Sequence, residues 1–196
     1  MAKLFDAKPD AGLEWRETGW IGDRVPVVVR DADGRRLATQ VWGLPADCFS
    51  KPVAAKQSGT LYPRDLSPSA SRLHEPTGFR PCLILIESFA YPGGFKGQCT
   101  RNWFGLWDET LTAWAGLCTP GGHCAGILGR ANEQVEPYSD AMPLLLASAD
   151  RESWLAGAGF LALRADYVAS DFYRENLGER WSTGRLCEEV PPRLAA

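Results

Sequence analysis

Arg24-Val25-Pro26-Val27-Val28-Val29-Arg30, then Asp31-Ala32-Asp33-Gly34, then Arg35-Arg36-Leu37-Ala38-Thr39-Gln40-Val41-Trp42, is the stretch that decides the fold. Two runs rich in β-branched and apolar residues flank a short polar segment ending in glycine, the pattern of a β-hairpin. A second run, Cys82-Leu83-Ile84-Leu85-Ile86-Glu87-Ser88-Phe89, is continuously apolar through Ile86 and reads as a buried strand ending in a loop at Tyr91-Pro92-Gly93-Gly94. Further strands are expected at Trp103–Leu106, Leu111–Cys118 and Cys124–Leu128, with Thr119-Pro120-Gly121-Gly122 turning the chain between the last two. These runs predict a mostly antiparallel sheet.

Between hairpin and second run, Gly43 to Pro81 holds six prolines, many small residues and no clear period, and is expected to be largely irregular. After the strands, Ser148-Ala149-Asp150-Arg151-Glu152-Ser153-Trp154-Leu155 predicts a short helix capped by Ser148 or Asp150. A second helix is expected from about Asp166 to Asn176, stopped at Gly178. No internal repeat, low-complexity tract or charge block divides the chain. One domain over residues 1–196 is the reading.

The chain has 196 residues, 45% hydrophobic and 23% charged, a globular composition rather than a disordered or fibrous one. Its formal charge of −3 excludes a binder driven by a strong overall positive field, so any contact to nucleic acid must be local. Sixteen of the 21 basic residues are arginine, whose planar fork suits phosphate and carboxylate. No apolar run reaches the roughly 20 residues of a spanning helix, and the opening residues Met1 to Asp6 carry no secretory hydrophobic region, so a cytoplasmic protein is expected. In that compartment Cys48, Cys82, Cys99, Cys118, Cys124 and Cys187 are expected to be free thiols.

The common nucleotide, dinucleotide and metalloprotease motifs are missing, and no cofactor is expected. Cys118, His123 and Cys124, with Cys99 upstream, have the chemistry of zinc ligands. Their spacing matches no standard knuckle, and adjacent residues of a strand point to opposite faces, so no metal is expected either. The histidines are His74 and His123. Each would need a nearby Ser or Cys to assist a nucleophile. Trp42, Trp103, Trp107 and Trp114 sit in or near strand-like segments, where aromatics fill interiors, although such rings also stack unpaired bases.

An ordered set of segments goes beyond composition. Trp42-Gly43-Leu44 after the hairpin, Pro81-Cys82-Leu83-Ile84 into Phe89, Ala115-Gly116-Leu117, Ile127-Leu128 to Ala131-Asn132, and Asp140-Ala141-Met142-Pro143 before Trp154-Leu155 resemble the SOS-response-associated peptidase (SRAP) family over about residues 24 to 156. The resemblance implies an α+β fold with a barrel-like antiparallel sheet and flanking short helices. It also implies a cleft for single-stranded DNA, in which family members capture abasic sites through a thiazolidine formed by an N-terminal cysteine.

By the same resemblance, the family's cysteine position is Ala2, its glutamate position is Tyr91 and its histidine position is Ser139. Its arginine falls on Arg64, with Arg72 next, and Trp42 joins these as a candidate nucleic-acid contact. An Ala2 amine without a thiol forms an imine that nothing traps, and loss of the acid and imidazole removes general acid–base help typically worth about 10² to 10⁴ in rate. Glu87, Tyr91 or Asp140 would have to substitute. The expected function is therefore binding of single-stranded or abasic-site DNA in a DNA-damage response without stable crosslinking. The alternatives are a peptidase or abasic-site lyase using another nucleophile (Cys48, Cys124 or the Ala2 amine), and a protein-interaction scaffold.

Overall fold

The computed structural model describes residues 1–51, 53–63, 78–157 and 167–186. The hairpin forms as read: β2 (Arg24–Asp31) and β3 (Gly34–Trp42) pair antiparallel around a two-residue turn, with Asp31 opposite Gly34. Gly34 there has φ +119°, a conformation that disfavours any side chain. β5 (Arg80–Ile86) pairs with β2, β8 (Thr112–Cys118) with β5, and β9 (His123–Arg130) with β8, all antiparallel. A short parallel seam, Val41 opposite His123 and Trp42 opposite Cys124, then joins β3 to β9 and closes the five strands into a ring.

Shorter strands dress this barrel. β1 (Lys8–Pro9) lies parallel on β3, β4 (Thr60–Leu61) parallel on β9, β10 (Ala141–Pro143) antiparallel on β9, and β11 (Leu145–Leu146) antiparallel on β8. β6 (Ser88–Gly93), β7 (Thr100–Leu106) and β12 (Phe172–Glu175) form a separate antiparallel sheet in the order β12-β7-β6. Among the described residues the α-helices are α1 (Ala55–Ser58) and α2 (Ser148–Leu155). The expected class, a mostly antiparallel, barrel-like sheet with short flanking helices, is the one observed, with parallel pairings among the described residues only at β1, β4 and the seam.

Strand alternation sorts the core. Val27, Val29, Ala38, Cys82, Ile84, Trp114, Cys118 and Cys124 point into the barrel and continue into Phe104, Met142 and Phe172. Their sequence neighbours Val28, Leu37, Leu83, Leu85, Ala113 and Ala115 point outward, where Phe5, Trp154 and Leu155 cover them. A barrel this narrow needs small residues beside large ones. At Gly126 a Cβ would stand 2.0 Å from the Trp114 ring, so glycine is the side chain that leaves room for tryptophan.

Four expectations need correction. The apolar run does not end in a loop: the chain breaks at Glu87, leaves the barrel and enters β6, so Tyr91-Pro92-Gly93 is strand paired with β7. The predicted helix to Asn176 is instead a 3-10 turn (Ala169–Asp171) followed by β12, because Phe172 buries against Phe89 and its backbone pairs with β7; Asp166 lies outside the described residues. Helix α2 has the predicted span, but its N-cap is Ala147, and neither Ser148 nor Asp150 makes a side-chain cap bond. The Gly43–Pro81 stretch is irregular only in part, since it holds a 3-10 turn (Ala46–Cys48), α1, β4 and the start of β5. Cys48, Cys82, Cys99, Cys118 and Cys124 are free; Cys187 lies outside the described residues. Among the described residues no helix is long and apolar enough to cross a membrane.

Candidate functional site

Tyr91 stands at the centre of the site. On β6 it faces the inner cluster, edge-on to Phe89 (5.9 Å) and Phe104 (6.3 Å). Its partner arrives from a turn that the sequence builds locally. Asn132 Oδ1 accepts the backbone N–H groups of Gln134 and Val135, and Val135, fully buried, anchors the turn that carries Tyr138 and Ser139 back to the sheet. Tyr91 Oη then donates to Ala141 O at 2.6 Å, and Ser139 Oγ donates to the same carbonyl at 2.7 Å. The two positions that the resemblance pairs, 48 residues apart, meet on one backbone oxygen.

Burial pushes the Tyr91 phenol up to about 12, the neighbouring Ser139 hydroxyl opposes this, and the nearby Tyr62 and Asp140 reinforce it. Tyr91 is therefore a neutral donor at physiological pH. Tyr62 also packs on the inner cluster and is near enough to Tyr91 to act on its charge. Arg64, Arg72 and His74 themselves lie outside the described residues.

The remaining candidates are elsewhere. Ala2 packs with Phe5 on the outer cluster rather than beside Tyr91 and Ser139. Trp42 is half-buried in the barrel, edge-on to Trp114 at 5.9 Å, with its Nε1 donating to Gly59 O. Trp114 is wholly interior, whereas Trp107 is exposed beside Tyr173. Glu87 lines an open surface cleft together with Met1, Leu4, Trp15 and Thr110. Among the thiols weighed as nucleophiles, burial pushes both Cys48 and Cys124 up, away from the reactive thiolate. His123 is half-buried, its Nδ1 2.9 Å from Gly43 O. No three His, Cys, Asp or Glu side chains among the described residues are placed to hold a metal ion.

Sequence reading missed the aromatic and arginine cluster on the other face of the small sheet. Arg101, buried, lies 5.1 Å from the Trp20 ring and 5.8 Å from the Trp103 ring, and Glu179 binds both Arg101 and Trp103 Nε1. Arg101 and Trp103 are neighbours on β7, but Trp20 and Glu179 come from distant parts of the chain, and the four share no motif. Their chemistry is closed on itself, since the buried guanidinium already has its carboxylate.

What the Tyr91 corner can do follows from its groups. With both hydroxyl protons committed to Ala141 O, the two oxygens can accept hydrogen bonds from a ligand. Neither exchanges a proton near neutral pH, so the corner can bind and orient without supplying general acid–base catalysis.

No family model matches the sequence, and no curated protein does. Solved structures do. A protein from Bordetella bronchiseptica superposes with a TM-score of 0.69 at 17% identity, over 90% of this chain and 93% of that one. A protein from Bacteroides thetaiotaomicron gives a TM-score of 0.58 at 16% identity, covering 79% and 73%. A phage-related protein from B. bronchiseptica gives 0.59 at 17% identity, covering 79% and 78%. At such identities the likeness is one of fold.

Proposed function

We propose that the protein is a divergent member of the SRAP family that binds single-stranded or abasic-site DNA in the cytoplasm, as part of a DNA-damage response, without forming a stable crosslink. The observation carrying this reading is the meeting of Tyr91 and Ser139 on Ala141 O, with Tyr62 alongside. Two positions singled out by the resemblance meet at one corner beside Tyr62, and in this reading hydroxyls stand there in place of the family's titrating acid and imidazole. Such a corner retains the means to hold a nucleotide and loses the means to move its protons.

The test is binding of single-stranded DNA, with and without an abasic site, by fluorescence anisotropy across a salt series, followed by denaturing electrophoresis. Weak binding that falls with salt is expected, since each phosphate contact releases a counterion. Arg64→Ala should weaken it more than Arg72→Ala, and no adduct should survive heat. A heat-stable adduct from the unmodified chain, or affinity indifferent to salt, overturns the reading.

One observation favours abasic-site lyase chemistry as the second reading: Met1, the neighbour of Ala2, and Glu87 line the same open cleft, so a carboxylate shares a surface with the segment that holds Ala2. An imine captured on abasic DNA by borohydride, and lost in Glu87→Gln, would select it.

A further inference from the structure

Three cysteines point into the barrel from neighbouring strands: Cys82 on β5, Cys118 on β8 and Cys124 on β9. Cys118 and Cys124 are direct partners across the β8–β9 ladder. The next pair outward is hydrogen-bonded, with Thr119 N donating to His123 O at 2.8 Å. Bonded and non-bonded pairs alternate along an antiparallel ladder, so Cys118 and Cys124 occupy a non-bonded pair, where Cα atoms stand about 4.5 Å apart and side chains are closest. A disulfide spans Cα separations of about 4.4–6.8 Å. The two thiols are thus reduced at a site already shaped for a bond between them.

The surroundings distinguish the three. Cys118 is the last residue of β8 and keeps 6% of its surface, whereas Cys82 and Cys124 keep none. Arg80 lies directly opposite it across the β5–β8 ladder and so shares the inner face. Arg36, two residues before the inward-facing Ala38, shares that face as well. A hydrogen bond from Cys82, with the charges of Arg80 and Arg36, holds the Cys118 thiol below its ordinary value, while burial pushes Cys82 and Cys124 up.

We infer that Cys118 and Cys124 are a built-in dithiol pair, in which Cys118 takes oxygen from a hydroperoxide and Cys124 closes the disulfide. The Cys118 thiolate attacks the peroxide oxygen and becomes a sulfenic acid, releasing hydroxide or alkoxide. Cys124 sulfur then displaces the sulfenic oxygen, the Cys124 proton passing to the departing hydroxide, so that the S–S bond forms and water is released. Two thiols and one hydrogen peroxide give one disulfide and two waters. Cys82 takes no part in the bond and serves as hydrogen-bond donor to the Cys118 thiolate.

The test treats the folded protein with hydrogen peroxide, alkylates it under denaturing conditions and maps tryptic peptides. Both cysteines lie on one peptide, Asn102–Arg130. That peptide should become lighter by two hydrogens, carry no alkyl group on either cysteine, and return to the doubly alkylated form after dithiothreitol. In Cys124→Ser the reaction should stop at the sulfenic acid, captured by dimedone on Cys118. Full alkylation of both cysteines after peroxide, under conditions that oxidise the half-exposed Cys99, overturns the inference. So does a crosslink from Cys118 to the peptide of Cys82. The wild-type map decides between these outcomes whether or not the serine variant folds.

Discussion

Tyr91 shows how a single side chain reports its surroundings. A phenol whose pKa rises on folding contributes its stability in full below the unfolded value of about 10 and loses it as the pH climbs through the folded value. With Tyr91 raised to about 12, that loss falls between pH 10 and 12 and amounts to roughly 3 kcal/mol. Tyr167, also raised to about 12, adds to it in the same window. Tyr91→Phe should therefore cost about 1 kcal/mol at pH 7, from the hydrogen bond to Ala141 O, and make stability less steep above pH 10. Urea midpoints at pH 7 and 11 check both; an unchanged alkaline slope would refute the buried-phenol account. Gly126 supplies the steric counterpart. Gly126→Ala pushes a methyl into the Trp114 ring and should destabilise by about 1–3 kcal/mol or more, read by thermal unfolding, and Trp114→Phe in the same chain should restore part of it.

Among the elements, α2 and β12 show where local propensity decides and where it yields. Helix α2 forms without a side-chain cap, so its stability comes from packing: Trp154 is 3% exposed and its Nε1 donates to Cys82 O at 2.9 Å. Trp154→Ala should cost about 3–5 kcal/mol, while Ser148→Ala should cost less than about 0.5 kcal/mol. Ala147→Ser, by adding the missing cap, should gain about 0.5–1 kcal/mol. Denaturant midpoints of the three variants separate packing from capping. β12 went the other way. A segment of mixed polarity ending at Gly178 reads as a helix, yet Phe172 and Tyr173 prefer an extended, half-buried surface, and the free side of β7 supplies it.

At the scale of the molecule, the closed ring and the shared inner cluster link the barrel to the small sheet, since Ile84, Trp114, Phe104 and Phe172 belong to one packed group. Unfolding monitored by tryptophan fluorescence and by far-UV dichroism should therefore coincide in one transition; separate midpoints would mean the small sheet melts alone. The same architecture bears on Ala2. Because Ala2 packs on the outer cluster and Tyr91 on the inner one, Ala2→Cys should give little heat-stable adduct with abasic DNA. Abundant adduct would show that the N-terminus reaches the corner in solution.

Sequence alone determined the hairpin, the apolar runs that become strands, the turn at Thr119–Gly122 and the span of α2, because each rests on a period or a turn residue within about ten positions. Through the family resemblance it also singled out Tyr91 and Ser139 as candidate site residues. Tertiary structure decided the rest. That Tyr91 and Ser139 share one carbonyl, that Glu87 marks the exit from one sheet into another, and that three cysteines face a common interior all depend on ring closure and ladder register. Those are long-range pairings, whose energy comes from burying side chains against partners far away in the chain, and no local pattern encodes which partner each strand meets.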